Sequence, residues 1–258
     1  MANPPPVSVF ILSRNEELKI GPALESVAWA AEIVVIDSGS TDRTAEIAAR
    51  HGARVVQVAF TRFGELRQAG IAHTAQAWVF SLDSDERCTP QARDEILRIV
   101  ADPESADAYL VPRQNFLLGK KIRHGGWYPD YRQPQLFRRG RLSYKAEDDV
   151  HEGWVLEGRL GRMRNPVIQI PYRTLEEAIA KMNRYTTLGV ARQEREGRSA
   201  GFLKAITRAK WAFFKAYVLQ LGFLDGGPGL VIALLRFENS FYKHAKLAER
   251  RRAPSGPD

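Results

Sequence analysis

The sequence predicts an α/β fold, in which a mostly parallel, doubly wound sheet is followed by a basic, helical C-terminal tail. Four short apolar runs rich in β-branched or aromatic residues predict buried strands at residues 7–12, 32–37, 54–59 and 78–83. Segments of helical length follow them at residues 17–30, 41–50, 63–75 and 90 to about 100. Strands that alternate with helices at this spacing favour parallel pairing with right-handed crossovers.

Local signals mark the helix ends and the change of pattern that follows. Gly52 closes the second helical segment, and Thr89 followed by Pro90 supplies an N-cap and a first helical residue for the fourth. After residue 107 the helical spacing stops. Strand-like runs broken by glycines take over at residues 108–118 and 135–138.

The last third of the chain is predicted to be helical. An apolar run at residues 167–172 precedes a capping-box match at residues 174–177, which opens a helix to about residue 196. A second helical region runs from residue 202 to about 252 and is interrupted at residues 225–229. We therefore predict one principal domain over residues 1–172 and a basic helical extension over residues 173–258.

Composition excludes several classes of protein. The chain has 258 residues, of which 44% are hydrophobic and 26% charged, so it is neither disordered nor fibrous. Its one cysteine, Cys88, cannot form an intramolecular disulfide and is interpreted as a packing residue. Residues 1–6 lack the basic start and the apolar stretch of a signal peptide. We expect a cytoplasmic protein.

Charge is distributed unevenly between the two halves. Residues 1–110 carry 10 basic and 16 acidic side chains, whereas residues 111–258 carry 28 basic and 14 acidic ones. This asymmetry predicts that the second half meets an anionic partner. Nucleic acid, a phosphorylated substrate and a membrane surface are all anionic partners that fit this charge distribution.

Polar loops follow three of the four predicted strands, where ligands bind in open parallel sheets. The third of these loops contains Asp83 and Asp85, two carboxylates whose mutual repulsion a cation would relieve. Oxygen ligands suit Mg²⁺ or Mn²⁺, which complete their shell with phosphate and water. The sequence has no glycine-rich phosphate-binding motif, so metal and arginine would have to hold any phosphate.

The three loops carry a resemblance to a known family. The segments ILSRNEE, VVIDSGSTDRT and FSLDSDE, in this order, resemble the inverting glycosyltransferases of family 2, which have the GT-A nucleotide-sugar-binding fold. The resemblance divides the principal domain into a nucleotide-sugar-binding half at residues 1–107 and an acceptor half at residues 108–172.

The resemblance also implies roles for individual residues. Ser13 and Glu16 or Glu17 would line the nucleoside pocket, Asp37 would contact the base and Asp83 the ribose, and Asp85 would hold the divalent metal. The predicted nucleotide-sugar site is completed by neighbouring residues and by two basic residues of the second half: Asn15, Ser38, Ser84, Arg132 and Arg138. The arginines suit bidentate contacts with a diphosphate, although a basic strand face is the alternative.

The second half resembles the lipopolysaccharide core glucosyltransferase-like branch, through WYPDYRQPQLFRRG and DDVHEG. This chain has Pro134 and Gln135 where the usual branch motif has an arginine before the LFRR run. The Q-x-x-R-W motif of processive synthases is absent, which favours transfer of one sugar. The implied reaction moves glucose from UDP-glucose to an inner-core lipopolysaccharide acceptor. Another nucleotide sugar or another lipid-linked glycan remains an alternative.

Inverting transfer needs a general base for the acceptor hydroxyl. Residues 147–152 contain an acidic cluster within a basic region, and a solvated acidic turn is the plain alternative. Asp149 and Glu152 are the candidates for the base, and the resemblance does not choose between them. His151 could bind the metal through a neutral nitrogen or cap a loop.

The basic tail suggests where the protein works. Residues 201–258 carry 10 basic and 4 acidic side chains, interleaved with aromatic ones, and contain no uncharged stretch long enough to span a bilayer. Such helices can lie on an anionic membrane or pack on the rest of the chain. We expect a peripheral protein on the inner face of the bacterial inner membrane. A nucleic-acid-binding protein is the less favoured class, because it leaves the acidic loops unexplained, and a catalytically inert membrane scaffold is a third.

Overall fold

A computed structural model describes residues 5–145, 153–197 and 201–252. The chain forms two compact units. The first contains residues 1–113 and 130–169, and the second contains residues 114–129 and 170–258. By packing, residues 114–129 therefore group with the C-terminal helices. The functional division predicted at residue 172 stays a prediction.

In its described residues, the first unit is built on strands and four helices. The strands of both units are, in chain order, β1 (Val7–Ser13), β2 (Glu32–Asp37), β3 (Arg54–Gln57), β4 (Trp78–Asp83), β5 (Glu86–Cys88), β6 (Ala108–Leu110), β7 (Arg113–Leu117), β8 (Lys120–Lys121), β9 (Pro134–Arg138), β10 (Leu142–Tyr144), β11 (Trp154–Leu156), β12 (Leu160–Arg162) and β13 (Val167–Gln169). The helices of the first unit are α1 (Ile20–Ser26), α2 (Thr44–Arg50), α3 (Phe63–Ala72) and α4 (Pro90–Ala101).

Seven strands form the main sheet in the order β12-β6-β9-β4-β1-β2-β3. Strands β4, β1, β2 and β3 are parallel, as the alternation of strands and helices predicts. Strand β9 runs antiparallel to both of its neighbours, β4 and β6. The mixed sheet agrees with the predicted fold class. Because β9 is antiparallel to β4, its amino end lies on the side of the loops after β1, β2 and β4.

The core lies on both faces of the parallel strands. Val7, Val9 and Ile11 of β1 point into one apolar cluster, and Phe10 points into the other, so β1 is buried on both sides. Two-sided burial is why the strand sequences are continuously apolar instead of alternating. The predicted strand at residues 108–118 is in fact two strands, β6 and β7, separated by Val111 and Pro112. Proline lacks the backbone donor that a continuous ladder needs.

The second unit consists mainly of helices α5 (Leu175–Arg195), α6 (Phe202–Phe214) and α7 (Gly227–Arg252). A π-helical turn at Lys215–Leu219 and a 3₁₀ turn at Gly222–Asp225 join α6 to α7. The buried Asp225 carboxylate accepts hydrogen bonds from the backbone of Arg123 and His124, which ties the loop after β8 to these helices. No helix in the described parts of the chain is long and apolar enough to cross a membrane.

The packing of α3 against β1 leaves no room for a side chain at Gly70. A Cβ added there would lie 2.5 Å from Cδ2 of the buried Phe10. We expect Gly70→Ala to destabilise the fold by about 1–3 kcal/mol, the usual cost of overpacking. The free energy of unfolding in denaturant measures this loss.

Gly21→Ala is the matched control, because Gly21 also lies within a helix. Its added Cβ would meet side-chain atoms of His51 and Ile47 no closer than 3.7 Å. Alanine is the better helix former by up to about 1 kcal/mol, so this variant should be neutral or more stable. Equal destabilisation by both substitutions would contradict the close contact at Gly70.

Candidate active site

The loops after β1 and β2 meet at the carboxyl edge of the parallel strands. Ser13 pairs with Asp37 in the β1–β2 register, and the Ser13 hydroxyl donates to Oδ1 of Asp37 over 3.2 Å. The Ser38 hydroxyl donates to the Ser13 carbonyl over 3.2 Å. The Asp37 carboxylate is buried and also accepts from the backbone N–H and hydroxyl of Ser40. The structure thus brings together the predicted residues Ser13, Asp37 and Ser38.

A ladder of hydrogen bonds fastens the first loop to the second. Asn15 accepts from the backbone of Thr41 over 2.8 Å and has a left-handed backbone, with φ of 55°. The backbone N–H of Glu16 donates to the Thr44 hydroxyl over 2.8 Å. The backbone N–H of Glu17 donates to Asp42 over 3.1 Å, and its own carboxylate accepts from Arg43. Asn15, Glu16 and Glu17 are therefore held beside the loop that follows β2.

The D-x-D turn follows β4, next to β1. The Asp83 side chain is 29% exposed, and its Oδ1 lies 3.0 Å from Nη2 of Arg67. Its Oδ2 lies 4.0 Å from Nη2 of Arg113. Ser84 and Asp85 are buried, and Asp85 accepts a hydrogen bond over 3.3 Å from the side-chain amide of Gln169. Guanidinium groups therefore contact Asp83, whereas the Gln169 amide contacts Asp85. Arg87 also interacts electrostatically with Asp85.

Glu86 lies under this turn and is fully buried. Its carboxylate accepts from Nε of Arg113, from the Gln135 amide over 2.7 Å and from the backbone N–H of Asp83 over 3.0 Å. Burial raises the pKa of Glu86, and the charges of Asp83 and Asp85 act in the same direction against the effect of Arg113. Burial alone would lower the pKa of Arg113, but Glu86 and Asp83 outweigh it and raise that pKa.

Sequence reasoning missed Arg67, Arg113, Gln135 and Gln169. Arg67 occupies the apolar stripe of α3 and is nevertheless buried, with its guanidinium bound to Asp83 and to the Ser81 hydroxyl. A charged residue at an apolar helix position is the signal that could have found it. The other three are polar residues within strands, and only the sheet pairing shows that they approach the D-x-D turn.

The oxygen-rich chemistry of this edge fits a hard divalent cation. The D-x-D turn offers carboxylate oxygens, which Mg²⁺ and Mn²⁺ prefer, and the buried Oε1 atoms of Gln135 and Gln169 have no hydrogen-bond partner. Within residues 5–145, 153–197 and 201–252, no three histidine, cysteine or acidic side chains form a metal-binding group. A cation at Asp85 would therefore need phosphate or water oxygens, or ligands from elsewhere in the chain, to complete its shell.

The two predicted arginines of the second half differ in position. Arg132 lies 2.7 Å from Oδ2 of Asp130, and Asp130 forms a β-bridge with Arg113, so Arg132 is near the D-x-D turn. Arg138 pairs with Trp78 at the opposite, amino end of β4, and its guanidinium stacks on the Trp78 ring 4.6 Å from the centroid. The structure therefore does not bring Arg138 together with the other predicted nucleotide-sugar residues, because antiparallel β9 carries it away from Asp83.

The predicted base candidates Asp149 and Glu152 and the predicted metal ligand His151 lie outside the described residues. The strands on either side of them, β10 and β11, form an antiparallel hairpin. The backbone N–H of Tyr144, at the end of β10, donates to Gln68, and the Tyr144 ring lies 5.9 Å from the guanidinium carbon of Arg67. The end of β10 therefore lies beside the arginine that binds Asp83.

Cys88 is buried, and burial raises the pKa of its thiol to about 12. The thiol therefore stays protonated at neutral pH and is a poor nucleophile. This protonation state agrees with the prediction that Cys88 is a packing residue.

Comparison with known proteins supports the fold and the family. The model of Glycosyl transferase family 2 matches residues 8–157. The lipopolysaccharide core biosynthesis glycosyltransferase LpsC of Rhizobium meliloti is 30% identical and covers 93% of both chains. The structure of Staphylococcus aureus TarS 1–349 is 16% identical, covers 95% of this chain and 91% of its own, and has a TM-score of 0.51, which supports the fold alone.

One further solved structure is similar over a smaller region. A glucosyl-3-phosphoglycerate synthase from Mycobacterium tuberculosis, solved with Mn²⁺, UDP-glucose and phosphoglyceric acid, is 26% identical over 42% of this chain and 43% of its own. Its TM-score of 0.38 supports no conclusion about the ligands of this chain. The family-model match and the likeness to LpsC confirm the resemblance that the loop motifs predict, and the chain belongs to glycosyltransferase family 2.

Proposed function

We propose that the protein is a metal-dependent, inverting glycosyltransferase that moves one hexose, glucose from UDP-glucose, to an inner-core lipopolysaccharide or related lipid-linked acceptor. The observation that supports this most directly is the D-x-D turn, where Arg67 contacts Asp83 and the buried Asp85 carboxylate is held by the Gln169 amide. The similarity to a lipopolysaccharide core glycosyltransferase over 93% of the chain supports the acceptor class.

On the donor side, the first unit offers a surface for a nucleotide diphosphate. The loops that contain Ser13, Asp37 and Ser38 would bind the nucleoside with Asn15 and Glu16 or Glu17, and Asp83 and Ser84 would contact the ribose. Asp85 would hold Mg²⁺ or Mn²⁺, with His151 as a further ligand. When bound, the cation neutralises charge on the departing diphosphate. Arg132, at the rim, would contribute positive charge to the same phosphates.

On the acceptor side, the transfer needs a carboxylate that takes a proton. The acceptor hydroxyl oxygen forms a bond to the anomeric carbon on the face opposite UDP, the bond from that carbon to the diphosphate oxygen breaks, and the hydroxyl proton passes to the base. We assign the base to Asp149 or Glu152. The hairpin that leads into this segment contacts Arg67 and Gln68, and Arg67 also binds Asp83.

The second unit has the surface chemistry of an interfacial membrane protein. Leu203 is 78% exposed and Trp211 is 58% exposed on α6. Further exposed apolar side chains follow through the two turns and into α7: Phe214, Val218, Leu219, Leu221, Phe223, Leu224, Leu230 and Leu234. Basic residues interrupt this surface at Lys204, Arg208, Lys210 and Lys215. Such a surface suits the acyl boundary and the anionic headgroups of the inner face of the inner membrane, where a lipid-linked acceptor would lie.

Loss of the Asp85 carboxylate tests the metal assignment. Asp85→Ala should remove the principal metal ligand and lower turnover of UDP-glucose with a lipopolysaccharide core acceptor by at least about 10²–10³-fold. Asp94→Ala, at an exposed aspartate on α4, is the control and should leave turnover unchanged. Near-normal turnover of Asp85→Ala in EDTA would overturn the metal assignment.

A panel of nucleotide sugars in a thermal-shift assay identifies the donor, because a bound donor stabilises the fold.

Removal of the general base should affect chemistry and not donor binding. We expect one of the variants Asp149→Asn and Glu152→Gln, but not both, to lower kcat by roughly 10²–10⁴-fold. The measurement is steady-state kinetics together with UDP-glucose affinity, which should change little. If both variants keep full turnover, the base lies elsewhere.

Vesicle binding tests the membrane surface in the intact chain. The protein should sediment with vesicles that contain anionic lipid and should be released as salt rises, because each basic residue contributes about 1 kcal/mol of screened attraction. Trp211→Glu and Leu203→Glu should each weaken this binding. Leu160→Glu, on the edge strand β12 of the first unit, should not. Equal sedimentation with neutral and anionic vesicles would contradict the proposal.

A further inference from the structure

Gln169 is the last residue of β13 and approaches the D-x-D turn from a strand that the motifs do not include. It pairs with Glu86 in the antiparallel β5–β13 register, and its side chain is only 6% exposed. Its amide Nε2 donates to Oδ1 of Asp85 over 3.3 Å. The family model ends at residue 157, so Gln169 lies outside the region that the family match describes.

The hydrogen bonding of this amide indicates a specific role. Its other polar atom, Oε1, is buried without a hydrogen-bond partner. A buried, unpaired acceptor is costly in a folded protein, and an apolar side chain of similar size would avoid this cost. A buried glutamine at residue 169 is therefore poorly explained by stability alone. Its hydrogen bond to Asp85 is the interaction that indicates a function for this side chain.

The neutral charge of the amide matters as much as its position. Asp83 has Arg67 and Arg113 beside it, and Glu86 is bound by Arg113. Arg87 interacts electrostatically with Asp85, and Gln169 restrains a carboxylate oxygen of Asp85 without adding further positive charge. An oriented carboxylate that keeps its negative charge is what a divalent cation requires, and hydrogen bonds from outside the metal shell commonly orient metal ligands in this way.

We propose that Gln169 is a positioning residue that orients the Asp85 carboxylate for the divalent cation. This inference rests on the proposed function, because it takes Asp85 as the metal ligand. It adds to the metal site a residue whose amide acts through Asp85. Its loss should therefore weaken metal binding and leave the chemistry of the loaded site nearly intact.

Mn²⁺ binding to the full-length chain in the presence of UDP tests this role. Free Mn²⁺ is measured by electron paramagnetic resonance, which reports the dissociation constant without turnover. Gln169→Leu should raise the Mn²⁺ dissociation constant by roughly 10- to 100-fold, the usual effect of losing a residue that orients a metal ligand. In kinetic assays the Mn²⁺ concentration for half-maximal activity should rise by the same factor, with kcat at saturating Mn²⁺ changed little.

Two further variants separate this role from a structural one. Gln169→Asn keeps an amide but is one methylene shorter, so it should also weaken Mn²⁺ binding, and it serves if Gln169→Leu does not fold. Gln193→Leu, at another buried glutamine with an unpartnered Oε1 on α5, should leave Mn²⁺ binding unchanged.

The outcomes distinguish the inference from the proposed function. If Asp85→Ala abolishes Mn²⁺ binding but folded Gln169→Leu and Gln169→Asn bind Mn²⁺ normally, the role of Gln169 is wrong and the metal site stands. If the unsubstituted chain binds no Mn²⁺ with UDP, or Asp85→Ala binds it normally, both the metal assignment and the inference are overturned. An equal loss in Gln193→Leu would reduce the effect to a general structural one.

Discussion

The buried ion pair between Arg113 and Glu86 is the constraint on which the candidate site depends. Glu86 is inaccessible to solvent and directly follows the D-x-D turn, and it binds the backbone of Asp83 as well as Arg113. Burying two charges costs about as much free energy as their attraction returns, so such a pair is weak evidence for stability. The pair instead fixes the position of the D-x-D turn, because any shift of the turn would leave a buried carboxylate or guanidinium without its partner.

Negative charge is crowded at the D-x-D turn. Asp83, Asp85 and Glu86 lie within four residues, and their mutual repulsion contributes to the raised pKa of Glu86. Arginines lie near both aspartates: Arg67 and Arg113 lie beside Asp83, and Arg87 interacts electrostatically with Asp85. The Asp85 carboxylate also accepts from the Gln169 amide. The resemblance implies a ribose contact for Asp83 and a metal for Asp85, and the Gln169 amide, which contacts only Asp85 in the hydrogen bonds described above, is compatible with that division.

The parallel half of the fold could be predicted because its signals are local. Apolar strands such as β1 and β4 end in polar loops, and parallel pairing brings Ser13 and Asp37 together without further information. The sequence marks Arg67 as a charged residue on the buried face of a helix, but it does not show that its partner is Asp83, 16 residues away. Arg113 could not be predicted, because its role depends on a contact with Glu86 over 27 residues of chain. The position of Arg138 at the far end of β4 could not be predicted, because nothing in the strand itself shows that β9 runs antiparallel to β4.

The departure from the usual branch motif has an electrostatic explanation in the sheet. Where the motif has an arginine, this chain has Pro134 and Gln135, and Gln135 is buried and donates to Glu86 and to the Ser81 carbonyl. Arg113 already supplies the guanidinium that Glu86 needs. A second buried guanidinium at residue 135 would either lack a counter-charge or draw on the negative charge that a cation at Asp85 requires. The neutral glutamine therefore donates to Glu86 without adding positive charge beside the D-x-D turn.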